Sequence, residues 1–215
     1  MNTTIYLIRH SEPFKKHRGV ENIKENILFS NIKTPLSIDG EKLAESISLH
    51  NEFQDLDTVW SSHYVRAMST AKYFAYRNNL KVNIDYRFGE RIHGCIDSYS
   101  ELPEGFELNQ FLNENLKIND GENQIEVRNR MYEALKELLE NEKGKKIAII
   151  THSTATIFLL LKWCQLQLNE NRPKILFKNK IIFDKNFNYC ETFKLVFNNN
   201  ELITIENLSL QKENY

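Results

Sequence analysis

The 215-residue chain reads as an α/β protein built on a mostly parallel sheet covered by helices on both faces. Three observations predict this. Strand-like and helix-like segments alternate along the chain. The run Ile147-Ala-Ile-Ile-Thr151 is continuously apolar, as in a strand buried on both faces. Ile5-Tyr-Leu-Ile8 is a second short apolar run, rich in β-branched and aromatic residues. The length suits one sizeable domain, residues 1–215, with a core that needs no staples.

The first strand ends at Arg9 and His10, and Pro13 disfavours further pairing. A polar loop follows over residues 11–35, in which Ile23, Ile27 and Leu28 could mark a short helix. Loops this long in a compact domain point to function. Thr34-Pro-Leu-Ser-Ile-Asp-Gly-Glu41 opens a helix, with Ser37 as N-cap and with Asp39 and Glu41 in the first turn, where the helix dipole favours acids. Leu43, Ala44 and Ile47 form its apolar stripe. Asp57-Thr-Val-Trp-Ser61 reads as the second strand. A helix beginning over 62–66 places Val65, Met68, Ala71, Phe74 and Ala75 on one face.

Residues 81–84 read as a third, edge-like strand. Residues 87–119 are loop-rich, with one short helical stretch around 106–116. Gly121-Glu-Asn-Gln starts a helix whose apolar positions are Val127, Met131, Leu135, Leu138 and Leu139, with Gly144 as its terminator. After strand 147–151 come His152 and a helix over 153–167. The chain ends in a hairpin of 189–197 and 201–205, joined by Asn198-Asn-Asn200, residues that tolerate positive φ.

A formal charge of −1 predicts no broad electrostatic field, and the absence of aromatic–basic interleaving argues against a nucleic-acid module. The basic run Lys15-Lys16-His17-Arg18 reads as a solvated loop or as a contact for a second negative group on a ligand. Cys95, Cys164 and Cys190 are odd in number and scattered, unlike a disulfide framework or a structural zinc site. Free thiols fit a reducing compartment. The N-terminus lacks a basic-then-apolar signal pattern, and the apolar stretch 155–161, broken by Lys162, is too short to span a bilayer. The expectation is a soluble, cytoplasmic protein with neither a membrane nor a nucleic-acid partner. Nothing in the sequence specifies an oligomeric state.

Three strands end in residues suited to anions. The first ends at Arg9 and His10. The second ends at Ser61 and Ser62, with Arg66 in the turn that follows, and the core strand ends at Thr151 and His152. Parallel strands put their C-terminal ends on one rim of the sheet, where helix N-termini also point. Taken singly, Arg66 is an ordinary surface arginine and His152 a histidine bonded to a carbonyl. Their recurrence at one topological place is what points to a phosphate crevice. Arginine suits a phosphoryl group because its planar fork donates two parallel charge-assisted hydrogen bonds. With these cations built in, such a site has little use for a metal.

Five motifs in order carry a family resemblance. Leu7-Ile-Arg-His-Ser-Glu12 resembles the Arg-His-Gly opening of the histidine phosphatase superfamily, the phosphoglycerate mutase-like family. Thr34-Pro-Leu-Ser-x-x-Gly40 resembles its Pro-Leu-Thr-x-x-Gly helix start, and Ser61-Ser-x-x-x-Arg-Ala-x-x-Thr-Ala71 its second arginine motif. Gly121-Glu with Arg130 resembles its Gly-Glu-Ser…Arg helix, and Ile149-Ile-Thr-His152 its second histidine motif.

The resemblance implies a three-layer α/β/α sandwich and a phosphatase that needs no cofactor and acts on a small phosphorylated metabolite. It implies that His10 attacks phosphorus and carries a phosphohistidine, while Arg9, Arg66 and His152 bind the phosphoryl oxygens and His152 shares in catalysis. Glu90 stands where the family keeps its catalytic glutamate, and that place prefers it to Asp85 or Glu101. Arg91 and His93 are candidates for the leaving-group side. Ser11 and Ser153 replace glycines of the family pattern and are further candidates for phosphate contact. Specificity is expected from the loops at about 11–33 and 91–119. A phosphoglycerate mutase and a phospho-ligand-binding protein without turnover are the alternatives. Glu90-Arg91-x-x-Gly94 partly matches the mutase run, whereas Ile92 and His93 depart from it and the segment 95–122 is short for the mutase insertion.

Overall fold

The computed structural model describes residues 1–14, 27–96, 99–170 and 172–210. The basic run 15–18 lies outside them, as does the rest of the polar loop up to residue 26. Strand β1 (Asn2–Arg9) pairs in parallel with β4 (Lys146–Thr151), Leu7 opposite Ile149 and Arg9 opposite Thr151. β4 pairs in parallel with β2 (Thr58–Ser61), and β2 with the short edge strand β3 (Val82–Ile84). The hairpin of β8 (Thr192–Asn198) and β9 (Glu201–Leu208) runs antiparallel beside β1, with Asn199 and Asn200 at φ 47° and 68° in its turn. The sheet order is β3-β2-β4-β1-β8-β9.

The two inner strands are continuously apolar because both faces are covered. Ile5, Leu7, Ile147 and Ile149 face a core shared with α5 (Gln124–Asn141) and α6 (Ser153–Leu160). Tyr6, Ile8, Ala148 and Ile150 face the opposite core, which contains Ile47 of α2 (Ile38–Ser48) and Ala67, Ala71, Phe74 and Ala75 of α3 (Val65–Arg77). The expected three-layer α/β/α sandwich around a mostly parallel sheet is what the chain forms.

Local signals explain most boundaries. The Ser37 side chain accepts from Gly40 N, capping α2. Asn123 and Glu126 form a reciprocal capping box at the start of α5. The short helix α1 (Ile27–Lys33) and α4 (Phe106–Leu112) stand in the two expected specificity loops. Two expectations need correction. α3 begins at Val65 with Tyr64 at its N-cap, so Ser62 belongs to the preceding turn. α6 ends at Leu160, not near residue 167. Residues Gln165–Asn169 instead form β5 of a small antiparallel sheet with β6 (Arg172–Phe177) and β7 (Lys180–Asp184). The alternation Gln-Leu-Gln-Leu-Asn has the period of a strand. Ile175 and Phe183 pin this sheet to the α5/α6 core.

Candidate active site

The register puts the ends of β1, β2 and β4 on one rim. His10 N donates to Thr151 O (2.9 Å) and Ser62 N to Ile150 O (3.0 Å), so each ladder runs one residue past its strand and delivers a polar side chain at the edge. A cleft of about 380 Å³ opens there, lined by Arg9, His10, Pro13, Asn31, Thr34, Arg66, Glu90, His93, Glu107, Ser153 and Thr154. That volume lies at the small end of the range for metabolite sites.

Hydrogen bonding determines the histidine tautomers. His10 Nδ1 lies 2.7 Å from the Ser11 carbonyl, which can only accept, so Nδ1 carries the proton. Arg66 Nε donates to His10 Nε2 (2.9 Å), which must therefore present its lone pair. Arg66 also donates through Nη2 to His152 Nδ1 (3.2 Å), so His152 carries its proton on Nε2 and gives it to Ser62 Oγ (2.8 Å). One guanidinium thus bridges two neutral imidazoles whose ring centroids are 5.1 Å apart. Burial pushes the pKa of both histidines well below the usual value, and the charge of Arg66 adds to this. For His10 the bond to Ser11 opposes the shift.

Arg66 is itself tied down: Nη1 donates to Asn31 O (2.5 Å), and its guanidinium carbon lies 4.8 Å from the centre of the Tyr64 ring. Arg9 stacks on Tyr189 at 4.6 Å and donates through Nη1 to Phe187 O. Its buried Nε has no partner among the described residues. Arg9 also lines the cleft, where a guanidinium suits an anion.

Glu90 lines the same cleft. Its Oε1 accepts from Arg91 N (2.9 Å) and Ala155 N (2.9 Å), and its Oε2 from Thr154 N (3.4 Å). The carboxylate therefore sits at the N-terminus of α6, where the dipole favours it. Arg130 holds the backbone behind it, donating to the carbonyls of Arg87 (2.6 Å), Gly89 (3.0 Å) and Glu90 (3.1 Å). Glu122 pairs with Arg130 (2.6 Å) and accepts from Ile92 N (3.0 Å). The Gly-Glu…Arg motif is thus a clamp on the loop that carries Glu90, a role the sequence did not assign.

The expected residues do not all reach the cleft. Arg9, His10, Arg66, Glu90, His93 and Ser153 line it. Ser11 does not: its hydroxyl donates to Gly40 O (2.6 Å) and its amide to Thr70 Oγ1 (2.9 Å), which makes it a brace beneath His10 rather than a phosphate contact. His152 does not line it either: it is fully enclosed behind Arg66, with both ring nitrogens engaged. Arg91 is buried and cross-links its loop to Glu122 O, Gln110 Oε1 and Leu116 O, each at 2.7 Å. Asn31, Thr34, Glu107 and Thr154 were not singled out as site residues from sequence; Asn31 stands on α1, Thr34 directly after it, and Glu107 and Thr154 in the first turns of α4 and α6, where only the packing of those elements turns them to the cleft. No group of three or more potential metal ligands occurs among the described residues, and no described helix is long and apolar enough to cross a membrane.

Comparison with known proteins bears on the family and the fold. The family model of the histidine phosphatase superfamily (branch 1) matches residues 5–182. A probable phosphoglycerate mutase GpmB of Yersinia enterocolitica is 30% identical over 163 residues, covering 73% of this chain and 72% of that protein. The corresponding Salmonella arizonae protein is 26% identical, covering 76% and 79%. Among solved structures, a mycobacterial glucosyl-3-phosphoglycerate phosphatase superposes with TM-score 0.68 at 16% identity, covering all of both chains. Bacillus stearothermophilus YhfR gives TM-score 0.69 at 19% identity, covering 94% of each. At such identities the structural likeness speaks for the fold alone.

Proposed function

The chain belongs to the histidine phosphatase superfamily, and on that premise we propose that it hydrolyses a small phosphate monoester through a phosphohistidine on His10. The observation that carries this reading is the Nε2 lone pair of His10, held unprotonated by the Nδ1–Ser11 bond and placed beside two arginines. A neutral imidazole is the form that can attack phosphorus.

In the first step His10 Nε2 bonds to phosphorus while the bond to the ester oxygen breaks. Glu90 is the group placed to give a proton to the departing oxygen. The Arg66 Nε–H passes from the Nε2 lone pair to a phosphoryl oxygen, and Arg9, which lines the cleft, offers its guanidinium to another. In the second step Glu90 takes a proton from water as the water oxygen attacks phosphorus. Inorganic phosphate leaves, His10 regains its lone pair and Glu90 its proton. His152 holds Arg66 in place, and Ser153 lies against the phosphate end. The loops at 11–33 and 91–119 supply specificity. Because the transition state is loose, positioning and fixed positive charge carry most of the rate, and the arginines provide that charge without a metal.

The test is p-nitrophenol release from p-nitrophenyl phosphate in the presence of chelator, together with acid-sensitive labelling of the His10 peptide in rapidly quenched samples. Chelator-resistant turnover and label, both lost in His10→Ala, are expected. Turnover that survives His10→Ala overturns the assignment. The curated relatives' names favour one second reading, phosphoryl transfer between positions of phosphoglycerate. Phosphoglycerate isomerisation without phosphate release would select it.

A further inference from the structure

The charges along the cleft are not symmetrical. Arg9 and Arg66, the two cations among its described lining residues, both sit at the His10 end. Glu107, in the first turn of α4, lines the same cleft, as does His93 of the loop that follows Glu90. Glu90 has three backbone N–H donors to itself. The Glu107 carboxylate has one described hydrogen bond, from Gln110 Nε2 to Oε2 at 3.0 Å, and no lysine or arginine among the described residues pairs with it directly.

Its place is nonetheless fixed. Arg91 ties α4 to the loop of Glu90 by donating to Gln110 Oε1 and by stacking on Phe106 at 4.6 Å. The Arg91 charge is felt at Glu107, yet its N–H groups go to the neutral acceptors Gln110, Leu116 and Glu122 O. A negative charge is thus held at the leaving-group side of a cleft whose other side is positive.

We propose that Glu107 forms a subsite for a cationic amino group, so that the substrate is a small amino-alcohol phosphate rather than a phosphorylated carboxylic acid. The inference rests on the phosphate-end reading given above. A phosphoryl dianion at Arg9 and Arg66 with an ammonium near Glu107 matches the charge order of the cleft. A carboxylate at the same place meets a like charge, which lowers affinity for the wrong ester while attraction raises it for the right one.

O-phosphoethanolamine and phosphoglycolate provide the test, since both are short esters and differ mainly in the charge of the far end. The ratio of their kcat/KM values is measured in wild type, Glu107→Gln and Glu107→Lys. Glu107 is exposed on α4, so both variants are expected to fold. The expected result is a wild-type ratio in favour of phosphoethanolamine, reduced about fivefold in Glu107→Gln, reversed in Glu107→Lys and weakened by salt. A wild-type preference for phosphoglycolate, or a ratio that the variants leave unchanged, overturns the proposal. If neither ester is turned over, the same ratio is read from dissociation constants by calorimetry. A Glu107-dependent preference there sustains the subsite while the phosphatase reading fails, and equal or absent binding removes the subsite as well.

Discussion

Two hydrogen bonds decide what His10 can do. The Ser11 carbonyl takes the Nδ1 proton and Arg66 finds the lone pair on Nε2. Reversing either would leave a protonated nitrogen facing the cleft. Glu90 is the complementary residue, because a departing alkoxide needs a proton while a good leaving group does not. Glu90→Gln is therefore expected to lower kcat for an alkyl phosphate by about 10²-fold or more. The same change should cost p-nitrophenyl phosphate far less. Steady-state rates on the two esters provide the check, and equal losses on both would remove Glu90 from the acid role.

At the level of elements, the exit of β1 is shaped by its approach to α2. A Cβ on Gly40 would lie 2.1 Å from the Glu12 carbonyl, so only glycine lets the segment after His10 pack against that helix. Ser37 N donates to the same carbonyl (3.0 Å), and Ser11 Oγ reaches Gly40 O. Gly40→Ala is expected to destabilise the fold by about 1–3 kcal/mol, as overpacking generally does. It should also reduce kcat/KM by displacing Ser11 and with it the His10 ring. Urea unfolding and kinetics on one preparation test both effects. An unchanged midpoint would show that the contact is not needed.

Across the whole molecule, two buried imidazoles couple stability to pH. His10 and His152 both have pKa values depressed by burial and by Arg66, so the unfolded chain binds more protons than the folded one below about pH 6.5. Stability then rises with pH through that window. Their contribution is complete above the unfolded value and is lost as pH falls toward the folded values. Melting temperature is expected to drop between pH 7.5 and pH 5, with 1 kcal/mol worth about 2–4 °C in a chain of this size. In His10→Gln the drop should be shallower, because one titrating ring is gone. Identical slopes in melts across pH would refute the coupling.

The sequence by itself determined the sandwich and the cationic rim. Alternating strands and helices require a mostly parallel sheet, and parallel strands must bring Arg9, His10, Ser62 and His152 to the same edge. The Ser37 cap, the Asn198–Asn200 turn and the apolar runs at residues 5–8 and 147–150 are local signals that tertiary structure had no reason to override. The tertiary structure alone decided which of those residues face the cleft. Whether Ser11 points to an anion or to Gly40 O depends on how closely α2 packs, and that is not encoded at position 11. His152 is enclosed because Arg66 lies across it, a contact 86 residues apart in sequence. Glu107 joins the site through Arg91, Gln110 and Phe106, a packing arrangement with no periodicity to read. The small β5–β7 sheet was hidden for a related reason. Residues 165–169 do alternate with a strand's period, but where the sheet docks, with Ile175 and Phe183 in a core built by distant helices, depends on that core being in place.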